Sequence, residues 1–185
     1  LQHGKYPKLR GIPNEIWKVI LLDSELRSVM KRFMNECLSQ GRTPELWEAG
    51  EIVAIYKKNN YRKHENHRPI TLLDTLYKIY TRLLSNRLSN TVGPYLRKTQ
   101  FGFRKRRSTT HAIHVVRRTI EAFFHKSEPK YDLNVLLLTW SKAFDRVDPK
   151  ALTDALLAFG IGGTFLEAIK STFKNSQFRV LGQMG

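Results

Sequence analysis

NVLLLTWSKAFDRVDPK, residues 134–150, is the stretch whose reading decides the fold. Its first half, Asn134 to Trp140, is a continuous apolar run of the kind shown by a strand covered on both faces. Its second half turns polar at Ser141 and closes on Asp148-Pro149, a helix-start signal. Downstream, the pattern predicts helices at about 149–158 and 163–174, then a strand beginning at Gln177–Leu181.

Upstream, Leu26, Val29, Met30, Phe33, Met34, Cys37 and Leu38 recur at helical spacing, with Ser24 a candidate N-cap and Gly41 the stop. Pro44 and Trp47 lead into EIVAIYKK, residues 51–58, a β-branched and aromatic strand that ends on two lysines. Residues 59–67 read as a polar loop. After Pro69, Leu72, Leu73, Leu76, Tyr80, Leu83, Leu84 and Leu88 predict a second long helix, ended by Gly93-Pro94. A basic connection at 95–107 follows. Ala112, Val115, Val116, Thr119, Ile120, Phe123 and Phe124 then predict a third helix from Ser108, closed by Glu128-Pro129. The sequence contains no internal repeat, and it reads as one α+β chain in two subdomains meeting near residue 132.

Charge narrows the function. Among 185 residues, 32 Lys and Arg stand against 16 Asp and Glu, a net charge of +16. A surface so cationic attracts polyanions and releases their counterions on binding, which makes nucleic acid the leading partner. A membrane is not indicated, because no apolar run approaches twenty residues and no long basic amphipathic helix is evident. The one cysteine, Cys37, excludes an internal disulfide and fits a reducing, intracellular compartment; it lies on an apolar helical stripe as a small core residue. The N-terminus lacks the apolar centre of a secretory signal and does not begin with Met, so the chain reads as cut from something longer.

Three clusters remain once the core is assigned. Lys57, Lys58, Arg62, Lys63 and Arg68 surround a strand end with only Glu65 against them, a charge pattern that suits a triphosphate and equally a solvated basic loop. RKTQFGFRKRR, Arg97 to Arg107, carries six basic residues, no acid, and Phe101 and Phe103 between them. Aromatic faces among cations suit a stacked base and a tracked phosphate backbone; packing of the two phenylalanines inside the protein is the alternative. The third cluster is TWSKAFDRVD, 139–148. His64 with His67 and His111 with His114 have helix-like spacing but no accompanying ligand set for zinc, and read as surface or capping residues.

In this order and spacing the strings GIPNEIWK (11–18), W-x-x-G-x-I-x-x-I-x-K-K (47–58), HRPITLLDTLYKIYTRLLSNRL (67–88), QFGFRKRRSTTHAI (100–113) and LLLTWSKAFDRV (136–147) resemble the reverse transcriptase domain of non-LTR, LINE-like retrotransposons. Group II intron enzymes are similar in two of these strings. The resemblance implies a right-hand polymerase, with residues 1–131 as a fingers-like region and 132–185 as the beginning of a palm of ferredoxin-like topology. It implies an RNA template, an RNA:DNA primer-template and a dNTP as partners, Mg2+ as cofactor, and a remaining palm and thumb outside this chain. By resemblance, Arg68 with Lys57 or Lys58 would hold the triphosphate, and Phe144 would stack under the deoxyribose and exclude a 2′ hydroxyl. Gln100, Gly102, Phe103 and Arg104 would line the template or dNTP pocket, with Arg106 and Arg107 on phosphates.

Nucleotidyl transfer of this kind needs several carboxylates around two metal ions about 3.5–4 Å apart. The family's string has the form L-D-x-x-K-A-F-D, and Thr139 stands at its first Asp. A neutral hydroxyl cannot replace a carboxylate that bridges two dications. Asp145, six residues further on, reads as a turn residue and Asp148 as a helix start. No Asp-Asp pair occurs in the sequence, which stops before the family's paired-Asp hairpin is expected. The expectation is a reverse transcriptase fragment that binds but does not polymerise; the alternatives are a non-catalytic nucleic-acid-binding pseudoenzyme and a decayed element.

Overall fold

The computed structural model describes residues 12–125 and 132–181. Their element order is α1 (Asn14–Leu22), α2 (Ser24–Gln40), β1 (Ala49–Tyr56), β2 (His67–Leu72), α3 (Thr75–Val92), α4 (Thr109–Phe124), α5 (Pro149–Ala158), α6 (Gly163–Ser171) and β3 (Gln177–Val180). By internal contacts the chain forms two compact units, residues 1–86 with 148–185, and Arg87–Val147. Each is described by itself below.

In the first unit the apolar stripe of α2 packs against α3, α6 and the short 3-10 turn Glu45–Trp47. Met34, Cys37, Trp47, Tyr80, Leu84 and Ala168 form the buried cluster. Burial raises the pKa of the Cys37 thiol, with the neighbouring Glu36 charge a smaller contributor, as a core cysteine requires. The N-cap of α2 is Asp23 rather than Ser24, because the Asp23 carboxylate accepts from the backbone N–H groups of both Glu25 and Leu26. It ends where Gly41 takes φ 62°, a left-handed conformation that glycine enters without strain. Helix α3 is capped in the same way by Asp74, which accepts from Leu76 and Tyr77. The Tyr77 hydroxyl donates to the Thr172 carbonyl at 2.6 Å, tying α3 to the end of α6.

The sheet has the order β2-β1-β3. β1 pairs antiparallel with β2, Ile55 opposite Arg68 and Tyr56 opposite His67. It pairs parallel with β3, Gly50 opposite Phe178. Two expectations change here. Residues 67–72 were assigned to a loop and a helix start, but they form β2: Pro69 needs no N–H partner, and as an edge strand β2 tolerates the missing donor. Residues 134–140 are not a covered strand; the segment is irregular, with Leu136 at 79%, Leu137 at 85%, Leu138 at 72% and Trp140 at 83% exposure. A strand needs a hydrogen-bonded neighbour, and none of the described ladders reaches this run. The expected helix closure at Glu128-Pro129 and the 131/132 boundary lie outside the described residues or at their edge.

Gly50 shows why the W-x-x-G spacing is needed. Trp47 enters the core, and three residues later the first turn of β1 runs between side chains of β2 and β3. A Cβ on Gly50 would lie 2.9 Å from Thr71 Cγ2 and 3.0 Å from Phe178 Cδ1. Gly50→Val is therefore expected to lower the unfolding free energy by about 1–3 kcal/mol, the usual cost of overpacking, read as a lower urea midpoint at unchanged m-value.

Candidate nucleic-acid interface

The first basic cluster is built on the β1–β2 hairpin. The Lys57 N–H donates to the Asn66 carbonyl at 2.8 Å, extending the ladder one step beyond β1. The ten-residue connection is held from inside: Asn66 Nδ2 donates to the Asn60 carbonyl at 2.7 Å, and the Arg62 N–H to Asn60 Oδ1 at 2.9 Å. The Tyr56 hydroxyl donates to the Asn59 carbonyl. Tyr56, Tyr61 and His67 form an edge-to-face trio with centroids 5.5–6.0 Å apart. Lys57, Lys58 and Arg68 are exposed, and none of them makes an ion pair with a described residue. Residues two apart on a strand share a face, so Lys57, one ladder step beyond β1, falls with Ile55 and Arg68, while Lys58 lies in the bend that follows.

The second unit carries the other two clusters. The Gln100 N–H donates to the Arg97 carbonyl and the Arg107 N–H to that of Arg104, so the basic connection is a pair of turns. Phe103 at φ 56° and Arg106 at φ 61° both occupy the left-handed region, a sparsely populated conformation for such side chains. Phe103 is 96% exposed. The Arg107 guanidinium lies 5.5 Å from the Phe101 ring centroid, a cation–π contact. Lys98, Thr99, Phe101, Arg106, Arg107 and His111 are among the residues around a shallow groove there.

Two strings forty residues apart meet in this unit. The Phe144 ring stands edge-to-face against Phe103, centroids 5.9 Å apart and planes at 84°. Phe144 is 78% exposed, so it is not an ordinary core phenylalanine. Thr139 is exposed in the irregular segment before it. Asp145 lies in a turn in which the Arg146 N–H donates to the Lys142 carbonyl, and Asp148 caps α5 by accepting from the Ala151 N–H at 2.9 Å. The described residues do not fit a two-metal centre: no three His, Cys, Asp or Glu side chains converge among them. No described helix is long and apolar enough to cross a membrane.

Of the paired histidines, His67 packs in the aromatic trio and His111 caps a helix. His111 completes a capping box at the start of α4: its backbone N–H donates to Ser108 Oγ, and its Nδ1 accepts from the Ser108 N–H. Sequence reasoning missed the Tyr56–Tyr61–His67 support, for which alternation across β2 would have been the signal. It also missed Glu121, which bonds Arg117 and Arg118 at 2.8 Å each. Those two partners hold the Glu121 carboxyl below its usual range and remove two cations from the free surface of α4.

With this geometry in place, the comparisons are decisive about the family. Residues 55–183 match the family model "Reverse transcriptase (RNA-dependent DNA polymerase)". Transposon TX1 uncharacterized 149 kDa protein of Xenopus laevis is 25% identical over 96% of this chain and 13% of its own length. Probable RNA-directed DNA polymerase from transposon BS of Drosophila melanogaster is 34% identical over 56% of this chain and 12% of its own. RNA-directed DNA polymerase from mobile element jockey, also of Drosophila melanogaster, is 33% identical over 69% and 14%. The chain belongs to the reverse transcriptase family, of the non-LTR retrotransposon type. It spans between 12% and 14% of the length of these relatives.

Glu121 contributes to the acid limb of stability. Its folded-state pKa is depressed, so its contribution is present above the unfolded-state pKa and is lost as pH falls through the folded one. Glu121→Gln should therefore reduce the loss of helical circular dichroism on acidification, while leaving Arg117 and Arg118 charged.

Proposed function

We propose that this chain is the nucleic-acid- and dNTP-gripping portion of a retrotransposon reverse transcriptase and that, by itself, it does not polymerise. Residues 1–131 serve as a fingers-like region and 132–185 as the beginning of a palm, the latter returning to the former through the β1–β3 ladder. The remainder of the palm and the thumb are supplied from outside this chain, and the protein works inside the cell on its RNA.

The observation that carries this reading is the edge-to-face meeting of Phe103 and Phe144 beside exposed Arg106 and Arg107. Exposed aromatic rings next to unneutralised cations offer a base or sugar a face and its phosphates a countercharge at once. Gln100, Phe103, Arg106 and Arg107 accordingly receive RNA or an RNA:DNA primer-template, with Arg104 in the same segment. On the β1–β2 hairpin, Arg68 and Lys57 receive the dNTP triphosphate; strand alternation favours Lys57 over Lys58 because it shares a face with Arg68. Arg68 presents a planar fork to phosphate oxygens and Lys57 a point charge.

Catalysis fails at the metals. Mg2+ would neutralise charge developing on the transferred phosphoryl group, and the described residues offer it no convergent set of ligands. Thr139 supplies no negative charge, while Asp23, Asp74 and Asp148 serve as helix caps and Glu121 as an arginine partner. The substitution favours a pseudoenzyme as the second reading, in which the same surface grips nucleic acid as its whole role.

Fluorescence anisotropy should show RNA and RNA:DNA hybrid bound with little sequence preference, weakening steeply with salt. Arg106→Ala and Arg107→Ala should each reduce the slope of log K against log salt by about one. Absence of binding at low salt would remove the proposal. Neither this chain nor its Thr139→Asp variant should extend a primer with Mg2+ and dNTPs; incorporation by either would refute the claim of inactivity.

A further inference from the structure

Six basic residues occupy Arg97–Arg107, and five of them are exposed; Arg104 alone is half-buried. Its guanidinium is turned inward. Nη1 donates to the Arg97 carbonyl at 2.9 Å and, more weakly, to the Leu96 carbonyl at 3.5 Å, while Nη2 donates to the Gly93 carbonyl at 3.1 Å. Those carbonyls belong to the 3-10 turn Gly93–Tyr95 that ends α3 and to the two residues after it. They lie just past a helix C-terminus, where carbonyls lack intrahelical partners and the helix dipole favours a cation.

We infer that Arg104 is a positioning residue: it is the clamp that folds 93–107 onto the end of α3 and thereby sets the directions of Phe103, Arg106 and Arg107. The clamp explains how two left-handed non-glycine residues persist in one short segment. Phe103 precedes the clamped residue and Arg106 follows it by two, and such backbone survives only where its surroundings over-determine it. Closure from Gly93 to Arg104 fixes the first turn, and the Arg104 carbonyl, accepting from the Arg107 N–H, fixes the second. The Arg107 guanidinium is then carried over Phe101. Lysine does not reproduce this clamp, because the rigid fork sets two separate nitrogens on the Gly93 and Arg97 carbonyls, whereas the three N–H donors of an ammonium radiate from one nitrogen on a flexible stem. The geometric half of this inference stands on the structure; its consequence for RNA binding rests on the function proposed above.

The test combines amide hydrogen exchange with anisotropy of a fluorescein-labelled single-stranded RNA, on the whole chain, for wild type, Arg104→Lys and Arg104→Ala. The reporters are the Gln100 and Arg107 amides. Loss of charged hydrogen bonds should speed their exchange by roughly tenfold or more in both variants, while amides of the Met34–Cys37–Trp47 core stay unchanged. RNA affinity should fall by a similar factor in both, with lysine giving no rescue and Arg104→Lys keeping the wild-type salt slope. If Arg104 were instead a phosphate ligand, Arg104→Lys would bind RNA nearly as wild type, Arg104→Ala would lose about one unit of salt slope, and neither would alter exchange. That pattern overturns the clamp. Should Arg104→Ala disturb the core, Arg104→Lys alone decides: unchanged Gln100 and Arg107 exchange sinks the inference. Faster exchange in a protein that never binds RNA upholds the clamp and sinks the functional proposal instead.

Discussion

Trp47 is the point on which the first unit depends. Its indole meets Phe33 edge-to-face at 5.8 Å and the tilted rings of Tyr77 and Tyr80 at 5.5 Å each, so one ring joins α2 to a single face of α3. Burying such a ring removes a large apolar area from water and adds edge-to-face attraction of about 0.5–1.5 kcal/mol per pair. The position matters as much as the energy. Trp47 lies two residues before β1, so seating it fixes where the central strand leaves the helical core. Strand β1 in turn is the template for both of its neighbours, and the basic hairpin is an extension of that ladder. A triphosphate site on Lys57 and Arg68 would thus inherit its placement from an aromatic contact ten residues upstream.

The second unit solves a different problem. It holds most of its cations exposed and has few buried residues, so burial alone does not organise its basic connection. Hydrogen bonds to charged groups do. The Arg104 fork satisfies carbonyls at the end of α3, Ser108 and His111 cap α4, and Glu121 gathers Arg117 and Arg118. Each of these devices uses one charge or dipole to settle local backbone while leaving Lys98, Lys105, Arg106 and Arg107 exposed. A net charge of +16 disfavours compactness by self-repulsion, and the arrangement concentrates that unneutralised charge on surfaces suited to a polyanion.

The helices were legible because their apolar residues recur at helical spacing and their ends carry Asp, Gly or Pro. The family was legible because five strings keep one order. Strand β2 was not, since HRPITL is short, contains Pro69 and becomes a strand only when β1 offers it a ladder. The apolar run at 134–140 misled in the opposite direction: its composition suits a covered strand, yet pairing and cover are properties of neighbours, and none of the described strands lies against it.

Composition and motif order alone determined the mixed α/β class and the reverse transcriptase family, because each depends on residue identity and spacing. Only the tertiary structure decided that Phe103 meets Phe144, that Lys57 falls on the face of Arg68, and that Arg104 points inward among six chemically similar cations. The physical reason is common to all three. Direction of a side chain is set by the backbone conformation beneath it and by partners distant in sequence, and a string of letters specifies charge and size without specifying direction.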